Sequence, residues 1–102
     1  MIEFPWRQAD GSPLPITAYS GPINWPPDRP DQSIWRFRQV IPVGHDAPVS
    51  LGEGSTPLID GPEGFSIKCE YVSPSGSFKD RGSSVLMTGL RNAGVVSVFL
   101  DS

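Results

Sequence analysis

The stretch SPSGSFKDRG, residues 73 to 82, places a lysine directly after a Ser-Gly-Ser turn and ahead of Asp80, Arg81 and a further glycine. Ser77 and Asp80 stand in an S-x-x-D spacing before an apolar-periodic segment, a capping-box arrangement with Asp in place of the commoner Glu. In such a box Ser77 accepts from the amide of residue 80, and Asp80 sits in the positive field of the first helical turn. This accounts for Ser77 and Asp80 but not for Lys79, because a cation in the first turn is unfavourable by about 0.3–1 kcal/mol. Carbonyl chemistry gives such a lysine a use. An imine forms from the neutral amine, whereas an ordinary lysine, with a pKa of about 10.4, is protonated at neutral pH. Positive potential and desolvation both lower that value, and a helix N-terminus lining a cleft offers both. Arg81 adds to the effect if it points the same way, and the glycine and serines of the turn let backbone approach a ligand. The stretch lacks G-x-x-x-x-G-K-[ST] and is no nucleotide P-loop. On residue chemistry alone, a reactive lysine and an exposed lysine on a capped helix both remain open.

The elements that must position this lysine are legible on either side. FSIKCEY alternates, with Phe65, Ile67, Cys69 and Tyr71 on one side and Ser66, Lys68 and Glu70 on the other, which predicts a strand. FKDRGSSVLMTGLRNAG predicts a helix with Val85, Leu86, Leu90 and Ala93 on its inner face and Gly94 at its C′ position. VVSVFL is a continuous apolar run, as in a strand covered on both faces. Strand, helix and strand at these lengths predict an α/β fold with one βαβ unit, its strands parallel and its crossover right-handed. Upstream, DQSIWRFRQVIP predicts a short helix with Asp31 as N-cap, Ile34, Phe37 and Ile41 as its apolar stripe, and Pro42 as its stop. Trp35, Arg36 and Arg38 fall off that stripe, the arginines on a solvated face. LGEGSTPLI then reads as a glycine-punctuated turn running into a short extended piece at Leu58 and Ile59.

Composition bounds the rest. The chain has 102 residues, a formal charge of −3 and no clustered basic run, which argues against nucleic-acid binding. No apolar run approaches the ~20 residues that cross a bilayer, and MIEFPWRQAD has no signal-peptide pattern, so the default location is cytoplasmic with no membrane partner. One cysteine excludes an internal disulfide framework, and Cys69 reads as a small buried hydrophobe. His45, the single histidine, has no second ligand residue beside it and reads as a surface residue. Seven of the twelve prolines fall in the first thirty residues, among Phe4, Trp6, Tyr19 and Trp25. Residues 1–48 therefore read as a Pro- and aromatic-rich arm with a short helix, laid on an apolar surface, and 49–102 as the start of a catalytic domain. Lys68 and Glu70 share a strand face and suit a local ion pair.

SPSGSFKDRG closely resembles the lysine motif of the fold-type II pyridoxal-phosphate enzymes, commonly PTGSFKDRG. WRFRQVIPV leading to VSLGEGSTPL resembles the segment ahead of that motif in the threonine synthase group, and IKCEYVSPSGSFKDR resembles its lysine-bearing strand and turn. The resemblance covers about residues 34 to 102. It implies that Lys79 holds pyridoxal 5′-phosphate covalently and later shuttles protons, with Phe78 beside the cofactor. VVSVFLDS resembles the strand that enters the family's S-x-G-N loop, with Ser102 as the loop's first residue and a cofactor contact. Glu53 and Thr56, in the EGSTP turn, face the cleft by the same likeness. Ser73 and Ser75 replace the asparagine and threonine common in relatives, and residues 1 to 30 carry no recognisable resemblance. The loop asparagine, phosphate cradle and ring-nitrogen partner of the family all fall beyond Ser102. The resemblance thus implies the N-terminal portion of a lyase, homodimeric when complete, that converts the amino-acid substrate O-phospho-L-homoserine and water to L-threonine and phosphate. The 102 residues alone are expected to fold poorly and to turn over no substrate. Threonine dehydratase-like and cysteine synthase-like enzymes share the lysine turn, and a non-catalytic interaction module is the alternative from another class.

Overall fold

The helix expected after the serine turn is present. In a computed structural model that describes residues 8–13, 31–43 and 47–99, it is α1, Lys79–Asn92. It ends as its sequence requires: Gly94 takes φ +82, its amide donates to the Arg91 carbonyl, and the Val95 amide donates to the Leu90 carbonyl. These two bonds form a Schellman motif, which a residue with a Cβ would strain.

The face that α1 buries differs from the expected one. Asp80, Ser84 and Thr88 are its buried residues, whereas Ala93 is exposed and Val85, Leu86 and Leu90 are half-buried. Their spacing of four makes a polar stripe on one side of the helix. Its hydroxyls are fully occupied. Ser84 Oγ accepts from the Trp35 indole Nε1 at 2.8 Å and donates to the Val49 carbonyl at 2.6 Å. Thr88 Oγ1 accepts from the Val49 amide at 2.9 Å and donates back to the Ser84 carbonyl at 2.8 Å. A polar face can thus be buried because every group on it has a partner.

The upstream helix is present as a seven-residue 3₁₀-helix, Ile34–Val40, with Ser33 rather than Asp31 as its N-cap. Asp31 Oδ1 instead accepts from the Ser33 amide and hydroxyl, while Ser33 Oγ accepts from the Trp35 amide. Side chains that bond local backbone in this way compete with an α-helical start. Ile41 is extended, as the residue before Pro42 tends to be, which stops the helix early. The off-stripe residue Trp35 is the one fully buried, and with Cys69 it forms the buried apolar core among the described residues. Arg36 and Arg38 are half-buried rather than solvated: Arg38 Nε donates to the Trp35 carbonyl at 3.0 Å, and its guanidinium lies 3.6 Å from Asp31. The helix meets the glycine turn closely. The Ile34 amide donates to the Glu53 carbonyl at 2.8 Å, and a Cβ on Gly54 (φ +133) would lie 2.8 Å from the Ile34 nitrogen.

The two short strands are β1, Leu58–Asp60, and β2, Ser66–Lys68. They pair antiparallel, Leu58 opposite Lys68 and Asp60 opposite Ser66, and form the single sheet among the described residues. The expected strand of FSIKCEY is therefore cut to three residues, and a 3₁₀ turn at Glu70–Val72 follows. The predicted parallel βαβ pair is not formed among the described residues. Residues 95–99 carry no strand pairing, with Val96 97% and Phe99 96% exposed. A strand exists only through a partner's hydrogen bonds, and the apolar run alone does not supply one. The architecture is mixed α/β. Phe4, Trp6, Tyr19 and Trp25 of the arm, His45, and residues 100–102 with Ser102 lie outside the described residues. No helix among the described residues is long and apolar enough to cross a membrane.

Candidate active site

Lys79 opens α1, and three consecutive side chains leave its first turn on different bearings. Successive helical residues are rotated by about 100°, so Lys79, Asp80 and Arg81 face different neighbours. Asp80 turns back to the serine turn, where its carboxylate accepts from the Ser75 amide at 2.7 Å and from the Ser75 hydroxyl. Ser75's hydroxyl and amide hold the Asp80 carboxyl below the usual carboxylate range. This corrects the expected capping box. Ser77 Oγ accepts from the Lys79 amide at 3.2 Å, the Asp80 amide goes to the Ser77 carbonyl, and Phe78 is the N-cap, with no side-chain cap bond. Gly76, at φ +79, folds the turn back so that Ser75 rather than Ser77 meets Asp80.

Arg81 points away from the expected role beside Lys79. Its Nε and Nη2 lie 2.8 Å from the two carboxylate oxygens of Glu70, a bidentate pair, and Nη2 also donates to Thr56 Oγ1 at 3.1 Å. Thr56 Oγ1 in turn donates to Glu70 Oε1. The Arg81 and then the Thr56 hydrogen bonds hold the Glu70 carboxyl down at about 2, and Glu70 pushes the Arg81 guanidinium up. The expected Lys68–Glu70 pair gives way to this one, and Lys68 Nζ donates to the Thr56 carbonyl instead. The three groups come from the glycine turn, the 3₁₀ turn after β2 and α1, which no local spacing joins. The sequence signal was limited to an acid and a base eleven residues apart.

Lys79 is left over. Its side chain is exposed, and its amine has no hydrogen bond or ion pair with any described residue. Of the two lysines in the chain, Lys68 is tethered and Lys79 has no partner among the described residues. The cleft expected to desolvate it is not formed by the described residues. Phe78, its neighbour, is 63% exposed. Glu53 and Thr56 are both buried, at 1% and 6% exposure. Glu53 accepts from the Ser50 hydroxyl and, at 2.7 Å, from the Leu51 amide. It lines a cavity of about 180 Å3 with Asp80, Ser83, Ser84 and Met87, on the flank of α1. Lys79 is not among the residues lining that cavity, so Glu53 and Lys79 are not brought together there. Ser73, where the turn starts, is buried with its hydroxyl unpartnered. No group of three or more His, Cys, Asp and Glu residues suited to a metal ion occurs among the described residues.

The chain is 43% identical to a threonine synthase of Mycobacterium leprae over 63 residues. The likeness is to threonine synthases. One from Methanosarcina acetivorans is 35% identical over 74 residues, and one from Halalkalibacterium halodurans 34% identical over 84. These matches take in 54%, 65% and 69% of this chain, but 18%, 18% and 23% of those proteins. The chain therefore spans about a fifth of the length of the curated threonine synthases it matches. No family model and no solved structure matches it.

Proposed function

We propose that this chain carries the cofactor lysine of a pyridoxal-phosphate-dependent lyase of threonine synthase type and of fold-type II architecture. The observation that carries the reading is the unpaired, solvent-facing amine of Lys79, set in the SPSGSFKDRG turn of a chain similar to threonine synthases. The donor set suits the cofactor: a primary amine without a competing partner, on the first residue of a helix whose next two side chains are both held. Lys79 would hold the cofactor, with Phe78 beside it and Ser102 opening the following loop. When bound, pyridoxal phosphate supplies the electron sink for carbanion chemistry. Lys79 then carries protons at its amine, while Asp80 and Arg81, engaged elsewhere, keep the first turn in place. The full-length enzyme is a cytoplasmic homodimer in this reading, and its substrate is O-phospho-L-homoserine.

The test is a substrate comparison on the full-length protein. Phosphate release from O-phospho-L-homoserine should exceed deamination of threonine or serine by a wide margin, and Lys79→Ala should abolish it while far-UV circular dichroism stays unchanged. Equal or faster conversion of threonine to 2-oxobutyrate would move the protein to the threonine dehydratase-like enzymes. Formation of cysteine from sulfide and an O-acylated serine, with the carboxylate released, would instead move it to the cysteine synthase-like ones.

A further inference from the structure

The N-cap of α1, Phe78, offers no side-chain acceptor, and the bond from the Lys79 amide to Ser77 Oγ, at 3.2 Å, holds the first turn only against its own loop. The turn is held through two of its own side chains. Asp80 ties it to Ser75, five residues back, which fixes it only against its own loop. Arg81 ties it to Glu70 and Thr56, which belong to the base of the hairpin: Glu70 follows β2, Thr56 precedes β1, and the Cys69 amide donates to the Pro57 carbonyl between them. Arg81 therefore references the helix start to a separate part of the molecule.

The form of this contact suits orientation better than stability. Its side chains are 33% and 27% exposed, and ion pairs that wet contribute little net stability. A planar guanidinium gripped at both carboxylate oxygens and at a hydroxyl, by contrast, is fixed in angle as well as in distance. Lys79 lies two residues away on the same turn, so the bearing of its side chain follows the angle at which Arg81 is held. We propose that Glu70 and Thr56 clamp Arg81 as a positioning residue that sets the bearing of Lys79 toward the carbonyl it attacks. There the neutral amine would form a C=N bond, and the carbonyl oxygen would leave as water with the two amine protons. The proposal rests on the reading of Lys79 as a carbonyl-reactive amine.

The test follows covalent capture of pyridoxal phosphate by the full-length protein, trapped with borohydride at timed intervals and read at Lys79 by peptide mass spectrometry. Arg81→Lys keeps the charge and loses the fork, and Glu70→Gln keeps the shape and loses the ionic grip. Both should lower the capture rate constant at saturating cofactor by about tenfold, as misplacement of a reacting group does. The half-saturating concentration and the final extent of labelling should stay as in the unmodified protein. Ser84→Ala is the control: it removes the Trp35 and Val49 contacts further along α1 and should lower the unfolding midpoint without slowing capture. If Glu70→Gln folds poorly, seen as a fall in final extent, Arg81→Lys decides the matter. Capture by Arg81→Lys at the unmodified rate, or slowing by Ser84→Ala to the same degree, would overturn the clamp. Absence of Lys79 labelling in the unmodified protein would overturn the functional reading and the clamp together, so the two failures are told apart.

Discussion

The α1 region and the β1–β2 hairpin lie side by side in the sequence and are held by opposite means. Around α1, side chains do the holding: Ser84 and Thr88 each donate one hydrogen bond and accept another, and Trp35, which donates to Ser84, is fully buried. In the hairpin the backbone ladder does it, while Leu58, Ile59, Phe65 and Ile67 stay exposed. A region joined by named polar partners fixes where each group points, since a buried hydroxyl that loses its partner is left unsatisfied. A region joined by main chain tolerates changes of side chain. The free lysine belongs to the first kind of region, where a side chain can be left unpaired and still be placed.

The largest expected break in this contrast is Trp35→Ala. It removes the buried indole and leaves Ser84 Oγ without a donor, so the full-length protein should lose about 3–5 kcal/mol in denaturant unfolding. A cost no greater than that of a hairpin substitution would erase the distinction between the two regions.

Acid should act on the α1 region next. Glu70, held at about 2 against an ordinary 4.5, and Asp80, held below an ordinary 3.8, both bind their protons less readily when folded. Carboxyls depressed in this way stabilise the fold fully above their unfolded values, and that contribution is lost as pH falls through the folded ones. The first turn of α1 should therefore keep its amide protection at neutral pH and lose it between pH 4.5 and about 2, ahead of the Ser84–Thr88 stretch, which has no titrating partner. Glu70→Gln should flatten that acid limb; an unchanged limb would place the titration elsewhere.

The smallest effect should come from the hairpin. Ile67, 39% exposed, should accept threonine with a change within about 0.5 kcal/mol, since surface substitutions away from specific contacts usually fall in that range. A larger loss on unfolding would mean that its side chain packs, and the contrast would need redrawing.

The sequence was most informative where one residue type has one use. Gly94 marked the end of α1, and the pair Leu58 and Ile59 marked β1, each by local chemistry alone. Lys79 could be singled out because it stands against the field of the helix that begins with it. What escaped reading depends on distant partners. Apolar periodicity pointed to Val85, Leu86, Leu90 and Ala93, whereas burial went to Asp80, Ser84 and Thr88, whose partners come from residues 35, 49 and 75. The direction of Arg81 is open in the sequence and Glu70 suggests Lys68 as its partner, because neither Arg81 nor Glu70 shows by its own spacing that the other faces it across two elements. The apolar run VVSVFL reads as the parallel partner of FSIKCEY, but β2 pairs antiparallel with β1 instead, and residues 95–99 carry no strand pairing among the described residues.

The central claim is that Lys79 is the amine that carries the cofactor, and one labelling experiment addresses it directly. The full-length protein would be incubated with pyridoxal phosphate, reduced with borohydride, digested and mapped. The phosphopyridoxyl mass should appear on the peptide carrying Lys79 and not on Lys68, whose amine is engaged with the Thr56 carbonyl. A label on Lys68, or one spread over both lysines in proportion to their exposure, would contradict the account.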